Sequence, residues 1–337
     1  MKRRSFIKGV GTASTALPVA GCSTLSGMKL GSYKPAGQVP RRILGKSGIE
    51  VSMLGFGSHL KQALVRKPKL RDRMIKLGFE GGINVFDVYD HSNYNQFEPM
   101  GNSLRGFRRD AVISLVAVKP TEEMQDEIDG ALNVFHTDYI DLYRNYIIDD
   151  DRMDILEKNK QAGKIRAVGV VSHEEELMMN YIDRYQNILD YVMIIYNFHH
   201  NNGFSNPDYI ANDYSALIPR CKKMDLGILG IKPMGSDAMV ALALKEKYFE
   251  DKKANVAQAM LKHIFQNPEI DSAMPAMNNM QELITNLEAA YDPALSVYEQ
   301  KLLDNLSAHA TTTKSAYLPD HYKWLERWRG QRSRTLV

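Results

Sequence analysis

Cysteine is almost absent from this chain of 337 residues, which holds only Cys22 and Cys221. A disulfide framework is thereby excluded. An exported chain of this kind must be held together by packing alone, as a large domain can be and a small secreted module cannot. Neither charge is in large excess: 43 Lys and Arg face 40 Asp and Glu, a formal net charge of +3. Four of the basic residues (Lys2, Arg3, Arg4 and Lys8) crowd the N-terminus with no acid among them, so the chain beyond residue 21 carries −1. The basic footprint of a nucleic-acid-binding protein is missing. No His-x3-His or paired-cysteine spacing organises a metal site, and no metal is expected. The first apolar run of the globular part is not followed by a Gly-rich phosphate loop, which weighs against an open doubly wound sheet. What remains, 44% hydrophobic and 25% charged residues, is enough to bury a sizeable core.

The N-terminus carries an address. Arg3-Arg4 is followed by Ser5, Phe6, Ile7 and Lys8, then by a weakly apolar run over 9–21 that ends Val19-Ala20-Gly21-Cys22. A basic start, a short apolar stretch and small residues before the cut form a removable export signal. The run is too short, and too rich in Gly, Ser and Thr, to span a bilayer. A twin arginine marks the route that carries folded proteins. Val-Ala-Gly-Cys resembles a lipobox, in which Cys22 is acylated and becomes the new N-terminus. The expected layout is a signal peptide over 1–21 and a flexible Gly-, Ser- and Pro-rich tether over 22–40. A globular part over 41–315 follows, with a tail over 316–337 packed on it. The expected location is periplasmic, with membrane attachment through lipid on Cys22.

Around Gly45 and Gly48 the sequence alternates as a small hairpin does. Short apolar runs then recur at 53–57, 83–87, 112–118, 139–144, 166–171, 191–195, 227–231 and 272–274. Between most of them lie stretches with apolar spacings of three and four, such as 124–135 and 256–265. Eight β-then-α units with apolar strands predict an α/β fold, a (β/α)8 TIM barrel with an N-terminal β-hairpin. An extra helix over 295–308 and a segment carrying Trp324 and Trp328, four apart on one helical face, form a C-terminal helical extension. Asp149-Asp150-Asp151 reads as a loop capping the next helix. The methionines around Met178-Met179 and from Met274 to Met280 read as core filling.

In such a barrel the working face is built from the C-terminal ends of the strands. The polar residues placed there are Asp87 with Tyr89, Asp90, His91 and Tyr94 in its loop, then Lys119, then Arg144, Asn145 and Tyr146. Ser172 and His173, Asn197 with His199 and His200, and Lys232 complete the set. Asp87, Lys119 and a tyrosine make an acid–base device: the ammonium lowers the phenol's pKa, and the carboxylate is expected to hold that ammonium in place. The phenol then passes a proton to a carbonyl oxygen as hydride reaches the carbon. A metal site from His173, His199 and His200 with His91 is the alternative chemistry; the plainer reading makes these histidines loop residues.

The chain resembles the aldo-keto reductase superfamily over nearly all of 41–290. The resemblance rests on RRILGKSGIEVSMLGFG, on GINVFD followed by EPMGNSL, and on DYIDLY, GKIRAVGV, Tyr196-Asn197 and MPAMNNMQELITNL. The export signal and the IKPMG turn point to a divergent, exported bacterial branch. The resemblance implies that Asp87 and Lys119 are the catalytic aspartate and lysine. Tyr94 is the matching tyrosine after a two-residue insertion, with Tyr89 as the alternative. Tyr146 stands where the family has a histidine that donates to the substrate carbonyl. The implied cofactor is NAD(P)(H), at positions matched by Ser172, Met193, Lys232, Asn278, Asn279 and Asn286. Several of these depart from the family: Val171-Ser172 replaces Ser-Asn, Met193 a glutamine, and Ile231 an aromatic. Met277-Asn278-Asn279 and Glu282 replace the cations that grip a 2′-phosphate, so weak NADPH binding is expected, with NAD(H) preferred or no dinucleotide bound. The implied activity is hydride transfer on a small, sugar-like carbonyl or alcohol. A barrel that only captures a ligand at the cell surface is the alternative.

Overall fold

The computed structural model describes residues 33–57, 62–88, 96–146, 148–172, 174–198, 214–234 and 255–313. Two short strands, β1 (Arg41–Ile43) and β2 (Glu50–Ser52), pair antiparallel as a hairpin. Seven further strands follow: β3 (Val85–Val88), β4 (Val112–Ala117), β5 (Ile140–Asn145), β6 (Ile165–Val171), β7 (Tyr191–Ile195), β8 (Gly227–Ile231) and β9 (Ser272–Met274). They pair in sequence order, every pair parallel. A doubly wound sheet would reverse its strand order midway; this one closes into a barrel.

The expected first barrel strand, 53–57, is the closing segment. Leu54 bridges to Ala273 on β9 and Phe56 to Phe86 on β3, both parallel. The backbone bonds Gly55 N–Ala273 O and Phe56 N–Val85 O, 2.9 and 2.8 Å, complete the ring. Gly55 permits the close approach, because a Cβ there would lie 2.2 Å from the sulfur of Met274.

Around the barrel lie α1 (Gln62–Val65), α2 (Pro68–Glu80), α3 (Phe97–Leu104), α4 (Met124–Phe135), α5 (Asp150–Gln161), α6 (Glu175–Arg184), α7 (Leu217–Lys223), α8 (Val256–Gln266), α9 (Met280–Tyr291) and α10 (Val297–Thr313). Outward strand residues such as Ile113, Tyr143, Val168, Val192 and Ile228 pack in one core with the helices. Inward residues such as Val85, Val112, Leu142, Ala167, Tyr191 and Leu229 form a second core, plugged by Leu44, Ile49 and Val51 of the hairpin. Period-two strands inside a ring of period-3.6 helices require these two cores. Met178, Met274, Met277 and Met280 are buried in them, as expected. Cys221 is buried too, and burial pushes its thiol up to about 12, so it stays protonated.

The N-terminal end of the barrel carries a fourfold stitch. Where one strand begins later than its neighbour, the neighbour's N–H has no ladder partner and a side chain must supply one. Asn84 Oδ1 accepts from Ser52 N at 2.7 Å, and Asp141 from Ile113 N at 3.0 Å. Asp190 accepts from Val168 N at 2.8 Å, and Asp271 from Ile228 N at 2.6 Å. The three acids also meet cations: Arg166 and Arg108 at Asp141, Lys160 at Asp190, and Lys222 at Asp271. The three aspartates link the alternate pairs β4–β5, β6–β7 and β8–β9, and Asn84 ties the end of β2 to the start of β3. Leaving such a buried N–H unpaired costs about 1–3 kcal/mol.

The expected helix 124–135 and the helix beginning at Val256 lie where periodicity puts them, and Asp149 caps α5 by accepting from Arg152 N at 2.9 Å. The extra helix runs further than expected, over Val297–Thr313. The tether differs from expectation in its second half. Val39 is buried, its N–H bonds to Gly81 O at 2.9 Å, and Tyr33 packs on the core. Apolar side chains at 33 and 39 therefore dock this stretch on the barrel. The signal peptide, Cys22 and the tail with Trp324 and Trp328 lie outside the described residues. Among the described residues no helix is long and apolar enough to cross a membrane.

Candidate active site

The C-terminal ends of the strands bring together Asp87 on β3, Lys119 just past β4, Tyr146 just past β5, Ser172 past β6, Asn197 past β7 and Lys232 past β8. Tyr94, Tyr89, His91, His173, His199 and His200 lie outside the described residues. No group of three or more metal-ligating side chains occurs among the described ones.

Asp87 departs from the expected pairing. Its carboxylate, fully buried, is held by Arg144: Nη1 donates to Oδ1 at 2.5 Å and Nη2 to Oδ2 at 3.0 Å. Ser114 Oγ donates to the same Oδ1 at 2.5 Å and accepts from Arg144 Nη1 at 2.9 Å. Asp87 is thus the counter-ion of Arg144, not of Lys119. The reason is directional. Asp87, Ser114 and Arg144 all occupy inward positions of β3, β4 and β5, whereas Lys119 follows the end of its strand. A buried guanidinium demands a buried acid, and the forked geometry matches a carboxylate. Tyr191 completes the group across the interior, lying over Gly169, where a Cβ would stand 2.4 Å from its ring. Burial raises its phenol against the opposing pull of Arg144, so Tyr191 stays protonated.

Lys119 is half-buried, and its backbone is tied on both sides. Its N–H points to Glu127 Oε2 at 3.4 Å and its C=O accepts from Arg152 Nη1 at 2.9 Å. Tyr146 packs against the inner core, and burial first, then Glu174, raises its pKa. Its phenol therefore keeps its proton at neutral pH.

The residues matched to a dinucleotide lie just past β6, within β7, just past β8, and at and within α9. Ser172 is buried and turned to its own chain, accepting from Glu174 N at 3.0 Å. Met193 lies within the inner core beside Ile231. Lys232 has a left-handed backbone (φ 53°), its C=O accepts from Asn197 Nδ2 at 3.4 Å, and desolvation brings its amine down to about 8. Asn286 is buried in α9.

The N-terminus of α9 is the most telling. Asn279 caps it by accepting from Glu282 N at 2.9 Å, and the Glu282 carboxylate folds back. It accepts from Asn278 N at 2.7 Å, Asn278 Nδ2 at 3.1 Å and Asn279 Nδ2 at 2.7 Å. This helix end, which favours an anion, already holds the carboxylate of Glu282. The neighbouring Asn278 Oδ1 is buried with no donor facing it. An acceptor of that kind suits a hydroxyl and repels a phosphate. The carboxylate of Glu282 thus occupies the place where the resemblance implies cations that grip a 2′-phosphate.

Sequence reading placed Arg144 at the working face without its role, and passed over Ser114, Gly169 and Tyr191. A signal existed. Arg144 shares the parity of Leu142 and Tyr146, so it must point inward, and Asp87 is the acid at an inward position nearby.

Residues 67–308 match the Aldo/keto reductase family. Among curated proteins the chain is similar to L-galactose dehydrogenase of Arabidopsis thaliana, 21% identical over 84% of this chain and 98% of that protein. It is also similar to the uncharacterized oxidoreductase YqkF of Bacillus subtilis (strain 168), 22% identical over 79% of this chain and 95% of that one. Among solved structures, aldo-keto reductase AKR11C1 from Bacillus halodurans superposes in its apo form with a TM-score of 0.61 at 20% identity, and in its holo form with 0.63 at 19%. Both superpositions cover 84% of this chain and 99% of that one. With its parallel barrel, its N-terminal hairpin and a match spanning most of its length, the chain belongs to the aldo/keto reductase family.

Proposed function

We propose that this protein is an aldo/keto oxidoreductase that interconverts a carbonyl and an alcohol on a small, sugar-like substrate, with NAD(H) preferred over NADP(H). The observation that carries this reading is the family match over 67–308 together with Lys119 and Tyr146 at the ends of adjacent strands. The sugar-like substrate draws support from the likeness to L-galactose dehydrogenase. A nicotinamide dinucleotide, when bound, would supply or take up the hydride. Lys119 lowers the pKa of a tyrosine from the stretch of sequence between β3 and α3, Tyr94 or Tyr89, which exchanges a proton with the substrate oxygen. Tyr146 donates a hydrogen bond to that oxygen in place of an imidazole. Ser172, Met193, Lys232, Asn278, Asn279 and Asn286 form the dinucleotide's surroundings, and Glu282 with Asn278 selects against its phosphorylated form. The twin-arginine signal supports export in the folded state, with any dinucleotide loaded beforehand, and Cys22 anchors the mature protein in the periplasm through lipid.

Mass spectrometry of the intact purified protein, followed by turnover of aldoses and their alcohols with NAD(H), tests the reading. A bound or saturable dinucleotide and a loss of at least 100-fold in kcat for Lys119→Met are expected. A protein that binds neither NADH nor NADPH refutes it.

One observation favours a second reading, a ligand-binding barrel without turnover: Asp87 is given over to Arg144 and does not support Lys119. Full biological activity of Lys119→Met would establish it.

A further inference from the structure

We propose that Arg152, with Glu127, is a positioning residue for Lys119, an inference that rests on the reading of Lys119 as the acid–base lysine. The two peptide groups flanking the Lys119 Cα are tied from opposite helices. From α5, the guanidinium of Arg152 donates to Lys119 O at 2.9 Å and to Thr121 Oγ1 at 3.4 Å. From α4, the carboxylate of Glu127 accepts from Val118 N at 3.5 Å and Lys119 N at 3.4 Å. With both peptides held, the backbone torsions of Lys119 are set, and only its side-chain torsions remain to aim the amine. Arg152 is itself aimed by the start of α5, where Asp149 accepts from its N–H at 2.9 Å.

Burial marks these two ions as more than surface decoration. Arg152 is 2% exposed and Glu127 7%. The Arg152 Nε–H is buried with no partner among the described residues. Apolar side chains would anchor a loop at less desolvation cost than a guanidinium with a donor left over. What a buried guanidinium adds is a directed hydrogen bond at one carbonyl, which the peptide of Lys119 receives. Loops at this face of a barrel carry the chemistry and need holding to within fractions of an ångström. The acidic run 149–151 gains a purpose here: Asp149 orients the turn that presents Arg152, while Asp150 is engaged by Arg184 and Tyr185.

The test uses the full chain, comparing the parent with Lys119→Met, Arg152→Met and Arg152→Lys. Unfolding midpoints confirm that each is folded, and Arg152→Lys, which keeps a charge and one donor, guards against a collapsed Arg152→Met. Amide hydrogen exchange at Val118 and Lys119 is expected to quicken at least tenfold in Arg152→Met while amides of β7 and β8 keep the parent rate. The kcat of Arg152→Met is expected to fall at least tenfold with KM within threefold, its pH profile displaced, and Arg152→Lys to recover part of both. Parent exchange rates at Lys119 in Arg152→Met overturn the clamp. If Lys119→Met is inactive while Arg152→Met keeps the parent kcat and pH profile, the positioning role is overturned and the proposed function stands. If Lys119→Met keeps full turnover, the reading of Lys119 fails, and the role given to Arg152 fails with it.

Discussion

Arg144 grips Asp87 with both terminal nitrogens, at 2.5 and 3.0 Å, inside the barrel and out of reach of solvent. A carboxylate that resemblance implies for catalysis is thereby neutralised near the C-terminal end of β3. Lys119 is held instead through its backbone, by Glu127 and Arg152. The consequence is energetic as well as chemical, because a buried ion pair is tolerable only while both members are present.

Removing one member is therefore expected to be worse than removing both. Arg144→Leu leaves Asp87 buried without a counter-charge and should lower stability by about 3–5 kcal/mol. Asp87→Leu with Arg144→Leu should recover most of that loss. Urea unfolding of the two single variants and the double variant reads the coupling directly; additive losses would show that the pair is not a unit.

The phenol of Tyr191 occupies space that Gly169 leaves open. A Cβ at position 169 would stand 2.4 to 2.6 Å from three ring atoms. Gly169→Ala should cost about 1–3 kcal/mol through overpacking. Combined with Tyr191→Leu, its extra cost should largely vanish, which a double-variant cycle of unfolding midpoints would reveal.

The stitch at Asp271 predicts a pH dependence. Burial, opposed by the Ile228 N–H, Lys222 and Arg42, raises its carboxyl from 3.8 to about 6. Below about 3.8 the folded and unfolded chains both carry the proton. Between there and about 6 the folded chain keeps a proton that the unfolded one has released, so stability falls as pH rises. It then stays lower above that range. A shift of this size amounts to about 3 kcal/mol. Asp271→Asn retains an acceptor for Ile228 N and removes the titration. Its stability relative to the parent should improve by up to that amount between pH 4 and pH 7, measured by chemical unfolding across the range. A difference that does not vary with pH would contradict the assignment.

Glu282 governs nucleotide choice in the proposed function. The parent should bind NADH at least tenfold more tightly than NADPH, a difference of about 1.4 kcal/mol or more. Glu282→Arg should narrow or reverse that ratio. It should also lower stability by about 1 kcal/mol, because the bond at the N-terminus of α9 is lost. Fluorescence titration with both nucleotides decides, and equal affinities in the parent would reject the role given to Glu282.

The sequence was legible where signals are local. Apolar runs separated by three-and-four spacing located the strands and the helix Met124–Phe135, because backbone periodicity acts within a few residues. Asp149 was readable as a cap for the same reason. Glu282, three residues after Asn279, has the spacing of a reciprocal cap. Its charge is evident from the sequence, whereas the fold-back of its carboxylate depends on the conformation of 278–279. The docking of 33–40 was hidden by its Gly- and Pro-rich composition, against which Tyr33 and Val39 count for more than their number suggests.

By itself the sequence determined a chain of alternating strands and helices, a parallel barrel with an N-terminal hairpin, and the residue types waiting at its mouth. Tertiary structure alone decided the partnerships among them. Arg144 and Asp87 are 57 positions apart, and only the parity of three strands closing into a ring turns both inward to the same point. The Lys119 backbone meets Arg152 and Glu127 only after two helices pack beside β4. The physical reason is range: periodicity and capping are read within a turn of chain, whereas which charge a buried charge meets depends on the whole enclosure that excludes water around both.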